Sequence, residues 1–316
     1  MARLTPLSQS EAAELLLPLG LQPESLAALD AGSVNSNFRF EARGQRYFLR
    51  IYEEQGEAGA RAELELLDAL ASAGVPVARA LAQGAEPFLA IHAGKAVAVF
   101  PWLEGESLCQ ARVDATRCEA LGRALGRMHA APHGALPTGR FGVEALQARF
   151  ERVRVEAPAL AADAAVASAA LTQVAARRRE RLPEGLCHGD LFRDNVLWQR
   201  ARLVALLDFE SASSGPWVYD LAVCIHAWCF ADDFVPELCR ALLAGYQAER
   251  PLSEVERESF GVEAAFAALR FVATRMTDYS MRAAPGEPPL RDYRRFLARY
   301  RAVEQGRLQA MLAFPH

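Results

Sequence analysis

Residues 187–210 limit what this chain can fold into more than any other stretch. They begin Cys187-His188-Gly189-Asp190-Leu191-Phe192-Arg193-Asp194-Asn195-Val196-Leu197-Trp198 and, after a tight turn, end on Leu207-Asp208-Phe209-Glu210. Residues 195–199 and 202–207 are rich in β-formers and predict two short strands flanking the turn. A hairpin of that length brings the Asn195 and Asp208 ends together, so an amide oxygen and a carboxylate can share one Mg2+, a hard ion that prefers oxygen. Asp190 then lies beside the metal, where it can orient a hydroxyl and accept its proton. A carboxylate, oxygen ligands for magnesium and cations on the phosphates are what phosphoryl transfer from ATP requires. A lone HxD would be explained as well by polar residues decorating a turn. The spacing HxDxxxxN, followed by strand, turn, strand and Asp-Phe, is not.

The hairpin needs a body to hold it. The chain has 316 residues, 52% of them apolar, which suits a two-lobed globule and argues against disorder. Its 35 basic and 39 acidic side chains leave a net charge of −4, so neither nucleic acid nor a membrane is expected as a partner. The six cysteines form no CxxC pair and several sit in apolar runs, as buried thiols of a reducing compartment do. Residues 1–10 lack the apolar core of a secretory signal. The apolar run 217–230 is too short to span a bilayer and contains Asp220 and His226. A cytoplasmic protein is expected.

Along the chain, residues 8–17 have helical spacing with Ser8 or Ser10 as cap. Residues 26–52 predict two strands turning at Arg43-Gly44, then a helix over 59–73 ending at Gly74, then strands at 88–92 and 95–100. Beyond Pro101 the pattern turns helical, at 114–131, in the alanine-rich 158–180 and from Tyr219 on, with breaks at Pro236, Pro251 and 285–289. The only lobe boundary is therefore near residue 101. Gly122 and Gly126 share a helix face and permit close helix approach. The basic run at 177–181 reads as a solvated helix end.

The run HGDLFRDNVLW, with LLDFESASSGPWVYDLA after it, resembles the catalytic signature of protein-kinase-like small-molecule kinases, the aminoglycoside phosphotransferase and choline kinase superfamily. It is most similar to the homoserine kinases of that superfamily. GSVNSN at 32–37 resembles their nucleotide loop, ELELLDALASAGVPV at 63–77 their Glu-bearing helix, and LGRALGRMH at 121–129 a helix of the second lobe. The likeness covers nearly the whole chain. It implies an α+β, protein-kinase-like, two-lobed fold: an antiparallel sheet plus helix over 1–101, and a mainly helical lobe with catalytic loop and substrate pocket over 102–316. It also implies ATP and Mg2+, with Asp190 catalytic and Asn195 and Asp208 on the metal.

The resemblance places Gly32, Ser33, Asn35, Ser36 and Asn37 at the nucleotide phosphates. Arg50 stands at the phosphate-clamping lysine position, with Glu63 as its helix partner and Glu57 and Glu65 as nearby competitors. Phe100 and Trp102 fall in the interlobe hinge that holds adenine. His188 organises the loop and Asp220 ties it down. The implied acceptor is a small alcohol, L-homoserine first; choline, ethanolamine, hydroxylysine or an aminoglycoside is the alternative, and a pseudokinase a third reading. A zwitterionic acceptor needs a carboxylate for its ammonium and an arginine for its carboxylate. Asp194 and Glu210 are candidates for the first role; Arg193, Arg270 and Arg275 are candidates for the second, and Arg193 could instead touch the γ-phosphate. Glu210 and His226 depart from the family's pattern close to the presumed pocket.

Overall fold

A computed structural model describes residues 5–29, 35–283 and 289–311. Ser8 caps α1 (Gln9–Leu16) with a capping box closed by Glu11. Strands β1 (Ser25–Leu29), β2 (Ser36–Ala42) and β3 (Gln45–Ile51) follow, so the expected two strands are three. Helix α2 (Glu57–Ser72) and a minimal hairpin, β4 (Ala82–Gln83) and β5 (Glu86–Pro87), precede β6 (Ala90–His92) and β7 (Lys95–Pro101). The main sheet is antiparallel throughout, in the order β1-β2-β3-β7-β6.

Side chains alternate across this sheet with period two. Phe38, Phe40, Leu49, Ile51, Val97 and Val99 pack with Leu16 of α1 in a small core of their own. Arg50, Phe48 and Phe100 face the other way, into a cleft. Tyr52, Ala98 and Leu64, Leu67 and Leu70 of α2 merge instead with the large core of the helical region. The hydrophobic core thus crosses residue 101, although the change from strand to helix falls there.

The helical region contains α3 (Ala115–Ala130), α4 (Val143–Glu156), α5 (Ala161–Ala175), α6 (Trp217–Trp228), α7 (Pro236–Glu249), α8 (Glu254–Asp278), α9 (Arg294–Glu304) and α10 (Arg307–Met311). Two small antiparallel pairs sit among them: β8 (Glu184–Cys187) with β11 (Ser213–Pro216), and β9 (Val196–Gln199) with β10 (Arg202–Leu206). Helices α3 and α7 approach unusually closely. A Cβ on Gly122 would lie 2.0 Å from the Leu242 carbonyl oxygen, and one on Gly245 2.0 Å from that of Glu119. The stretch Pro158–Ala175 is long and apolar enough to cross a membrane by composition, a feature not anticipated from the sequence.

The basic run follows the end of α5 and is mostly exposed, as expected, but Arg178 turns inward. α5 stops at Ala175, and Arg177, Arg178 and Arg179 pair with Glu304, Glu263 and Glu258. Arg178 grips the fully buried Glu263 with two bonds of 2.8 and 2.7 Å and lies 3.8 Å from the Phe266 ring centre. A buried carboxylate needs such a partner, and local sequence does not reveal it.

Candidate active site

β8 delivers the chain to His188, where a left-handed residue is needed to turn the loop; Gly189 supplies it at φ +75°. Asp220 on α6 then anchors the turn. Its two carboxylate oxygens accept the backbone N–H groups of His188 at 2.7 Å and Gly189 at 2.8 Å. His129 Nε2 donates to the same carboxylate at 3.1 Å, and Tyr246 donates to His129 Nδ1 at 2.8 Å. The close approach of α3 and α7 is what lets His129 and Tyr246 meet. Burial alone would raise the Asp220 carboxyl, but these bonds outweigh it and hold it below the ordinary value. Burial depresses His129 below its ordinary value, against the pull of Asp220. Cys187 also lies close enough to complete a three-donor metal cluster with His129 and Asp220. Hydrogen bonds already account for both of those partners.

His188 itself faces inward. Its Nε2 donates to the Leu207 carbonyl at 2.8 Å while Nδ1 accepts the Asp190 N–H at 3.3 Å, so it links the loop to the strand that ends at Asp208. The hairpin closes as the sequence suggests: Leu207 N–H donates to the Asn195 carbonyl at 2.9 Å, bringing Asp208 beside Asn195. Asn195 spends its Nδ2 on the Asp190 carbonyl at 2.8 Å, which leaves Oδ1 as its ligand atom. Asp208 adopts a left-handed conformation (φ 65°), rare for a residue with a side chain and characteristic of functional sites. Its carboxylate has no hydrogen-bond partner among the described residues.

Asp190 is 31% exposed and receives Arg270 Nη1 at 3.3 Å. Arg270 is itself buried, 4.1 Å from the Phe141 ring centre and 3.9 Å from that of Phe271. Arg270, a sequence candidate for a substrate carboxylate, lies instead on Asp190.

Across from the loop, a cleft of about 470 Å3 separates it from the main sheet and is lined from both sides. Arg50 and Glu63 meet in it at 3.4 Å, and the Tyr52 hydroxyl donates to the same Glu63 oxygen at 3.3 Å. Burial holds Glu63 above the ordinary carboxylate value despite Arg50. Arg50 is raised: burial works against it and is outweighed by Glu63, with Tyr52, Glu210 and Asp208 adding to the effect. Glu57 and Glu65 are exposed and do not compete; Glu57 pairs with Arg61 instead.

Glu210 is in this cleft too, linked to the main sheet by a hydrogen bond from Asn35. Burial, then the charge of Asp208, pushes its carboxyl up to about 7. Among the described residues that line the cleft, Arg50 is the one basic side chain beside Asp208, Glu210 and Glu63, and that surplus of oxygen donors fits a divalent metal ion at Asn195 and Asp208.

The remaining candidates separate. Asn37 lines the cleft, but Ser36 turns away to donate to Glu53 and accept the Thr5 N–H. Gly32 and Ser33 lie outside the described residues. Phe100 and Trp102 line the cleft, although the Trp102 N–H is committed to the Arg46 carbonyl at 3.1 Å. Leu103, next along, carries a backbone N–H with no partner among the described residues. Arg193 donates to Gln110 Oε1 at 2.6 Å and to the Ala227 carbonyl, and Asp194 pairs with Arg291 at 2.6 Å. Arg193 and Arg275 border a second pocket, and Asp194 borders both. His226 is in no pocket: it is fully buried, bonded to the Ala264 carbonyl at 2.7 Å and depressed to about 3 by burial. Sequence reasoning did not single out Arg140, Arg291 or Arg295, for no local pattern distinguishes them from other surface arginines.

Comparison with known proteins identifies the family and the fold. The model of the phosphotransferase enzyme family matches residues 25–252. A homoserine kinase of Phenylobacterium zucineum (strain HLK1) is 35% identical over 291 residues, 88% of each chain. A homoserine kinase of Caulobacter sp. (strain K31) is 33% identical over 313 residues, 95% of this chain and 97% of that one. Among solved structures, amicoumacin kinase hAmiN in complex with AMP-PNP, Ca2+ and Ami superposes with a TM-score of 0.66 at 18% identity, covering 92% of this chain and 93% of that one. Spectinomycin phosphotransferase APH(9)-Ia gives a TM-score of 0.68 at 12% identity, covering 98% and 99%. At those identities the structures establish the fold, a two-lobed protein-kinase-like one.

Proposed function

The chain belongs to the phosphotransferase enzyme family, and from that premise we propose that it phosphorylates L-homoserine: ATP + homoserine → ADP + O-phosphohomoserine. The observation that carries the chemistry is the convergence of Asp190, Asn195 and Asp208 where the catalytic loop meets the cleft. The choice of homoserine is supported by the curated relatives of that activity, matched over most of the chain.

In this reading the nucleotide occupies the cleft. Asn35 and Asn37 border its phosphates, Arg50 braced by Glu63 grips them as a two-donor fork, and the hinge from Phe100 to Trp102 holds adenine, with Leu103 as its uncommitted backbone donor. Asn195 and Asp208 hold Mg2+, which when bound neutralises phosphate charge. Asp190 accepts the proton of the attacking hydroxyl as the O–P bond forms, while Arg270 fixes the orientation of its carboxylate. Asp220 and His188 keep the loop in shape. Asp194 and Glu210 are the candidates for the substrate ammonium. Six free cysteines, five of them buried, support a cytoplasmic setting.

The test is ADP release by purified protein with Mg-ATP across L-homoserine, choline, ethanolamine and hydroxylysine. Homoserine should give the highest kcat/KM. Turnover of another alcohol without homoserine turnover would reject the proposed substrate and keep the kinase.

A further inference from the structure

Beside the catalytic loop a second pocket, of about 490 Å3, is walled by Arg193, Arg275, Arg291 and Arg295. Ser107 and Asp194 line both it and the interlobe cleft, so the two cavities adjoin. Its carboxylates do not balance its cations. Asp194 is taken by Arg291 at 2.6 Å, and Asp292 lies 3.7 Å from Arg294. Arg193, Arg275, Arg295 and, behind them, Arg299 have no carboxylate partner among the described residues.

What these guanidiniums touch is neutral. Arg275 donates to the Asp292 carbonyl at 3.2 Å, and Arg299 to the carbonyls of His226 at 3.1 Å and Arg295 at 2.7 Å. Arg275 and Arg299 both lie against the Phe296 ring, 4.4 and 4.6 Å from its centre. Burial first, then the neighbouring guanidiniums, hold Arg275 down to about 10 and Arg299 down to about 9. Like charges gathered in a half-buried wall repel, and an anion placed among them relieves that repulsion. The wall also flanks the reacting end: the charge of Asp190 acts on both Arg275 and Arg291.

We propose that this pocket seats the carboxylate of the acceptor, with Arg275 and Arg295 as its grip, and so selects an amino-acid alcohol over a plain amino alcohol. The inference rests on the kinase reading above and narrows its substrate class. It assigns the carboxylate to Arg275 and leaves Arg270, buried against Asp190, to hold that residue. Arginine is suited to the task, because its planar fork matches a carboxylate with two parallel bonds. The pocket's volume admits a whole small amino acid.

The experiment compares L-homoserine with aminopropanol, the same alcohol without its carboxylate, in wild type, Arg275→Gln and Arg295→Gln. Arg295 is exposed, so its replacement leaves the fold intact even if that of the half-buried Arg275 does not. Each variant should lower the preference for homoserine over aminopropanol by about tenfold, through KM for homoserine rather than kcat. An unchanged preference in Arg295→Gln overturns the proposal. A rise in KM for ATP instead would assign the pocket to nucleotide phosphate, which also overturns it. Wild-type protein that turns over aminopropanol but not homoserine would reject the substrate reading itself, a result distinct from both.

Discussion

The two cavities that meet at Ser107 and Asp194 have opposite charge. In the interlobe cleft, Glu63, Asp208 and Glu210 crowd round Arg50, and Glu210 is pushed up to about 7. In the pocket beside the loop, arginines outnumber carboxylates and are pushed down instead. A metal–nucleotide complex and an amino acid would make opposite demands on their sites, and the chain separates the two by the width of one loop. Asp190 lies four residues before Asp194 on the same loop, with Arg270 on its carboxylate and Asn195 on its carbonyl.

The largest effect should come from the catalytic loop. Asp190→Asn is expected to lower kcat for ADP release by about 10³-fold, with KM for ATP near wild type. Residual turnover within tenfold of wild type would show that the acidic cavity works without this carboxylate. Asp220→Asn comes next, because one carboxylate holds two loop amides and His129. Urea unfolding should show a loss of about 3 kcal/mol, and a loss below about 1 kcal/mol would mean that the two cavities do not share this anchor.

Arg270→Gln separates the two arginine roles. It should lower kcat about tenfold and leave KM for homoserine nearly unchanged, the reverse of the pattern expected for Arg295→Gln. A KM effect instead would return Arg270 to the carboxylate. The smallest effect comes from a residue that lines neither cavity. Glu53 is almost buried and bonded by Lys95, Ser36 and Thr5. Burial would raise its carboxyl, but these partners lower it from the ordinary 4.5 to about 2. Its contribution is therefore complete above pH 4.5 and lost as pH falls through about 2. Glu53→Gln should cost about 1 kcal/mol at neutral pH, a deficit that shrinks in acid; a pH-independent deficit would assign the effect to packing.

Much of the catalytic loop was legible because its chemistry is local. The turn at Arg200, the closing bond from Leu207 to Asn195 and the left-handed Gly189 all join residues within about a dozen positions. The same holds for β3, where alternation alone puts Arg50 on the face opposite Leu49 and Ile51. Less legible were elements weak in pattern. β1 has small residues and mostly exposed positions, and β8 and β11 are four residues each, so neither alternation nor length marked them. Helix α4 has no side-chain cap and follows a proline- and glycine-bearing approach, so no start signal marks it.

The sequence by itself determined which groups could do chemistry: Asp190, Asn195 and Asp208 at spacings that a hairpin must bring together. Only the tertiary structure decided which charge meets which. Arg270 finds Asp190 from 80 positions away, Asn35 finds Glu210 from 175, and Arg178 finds Glu263 from 85. Those pairings depend on how α8 crosses the loop and how the sheet closes over it, and a chain with 35 basic side chains has no local mark that distinguishes one arginine from another. Local geometry is written in neighbouring residues; long-range electrostatics is written only in the packing.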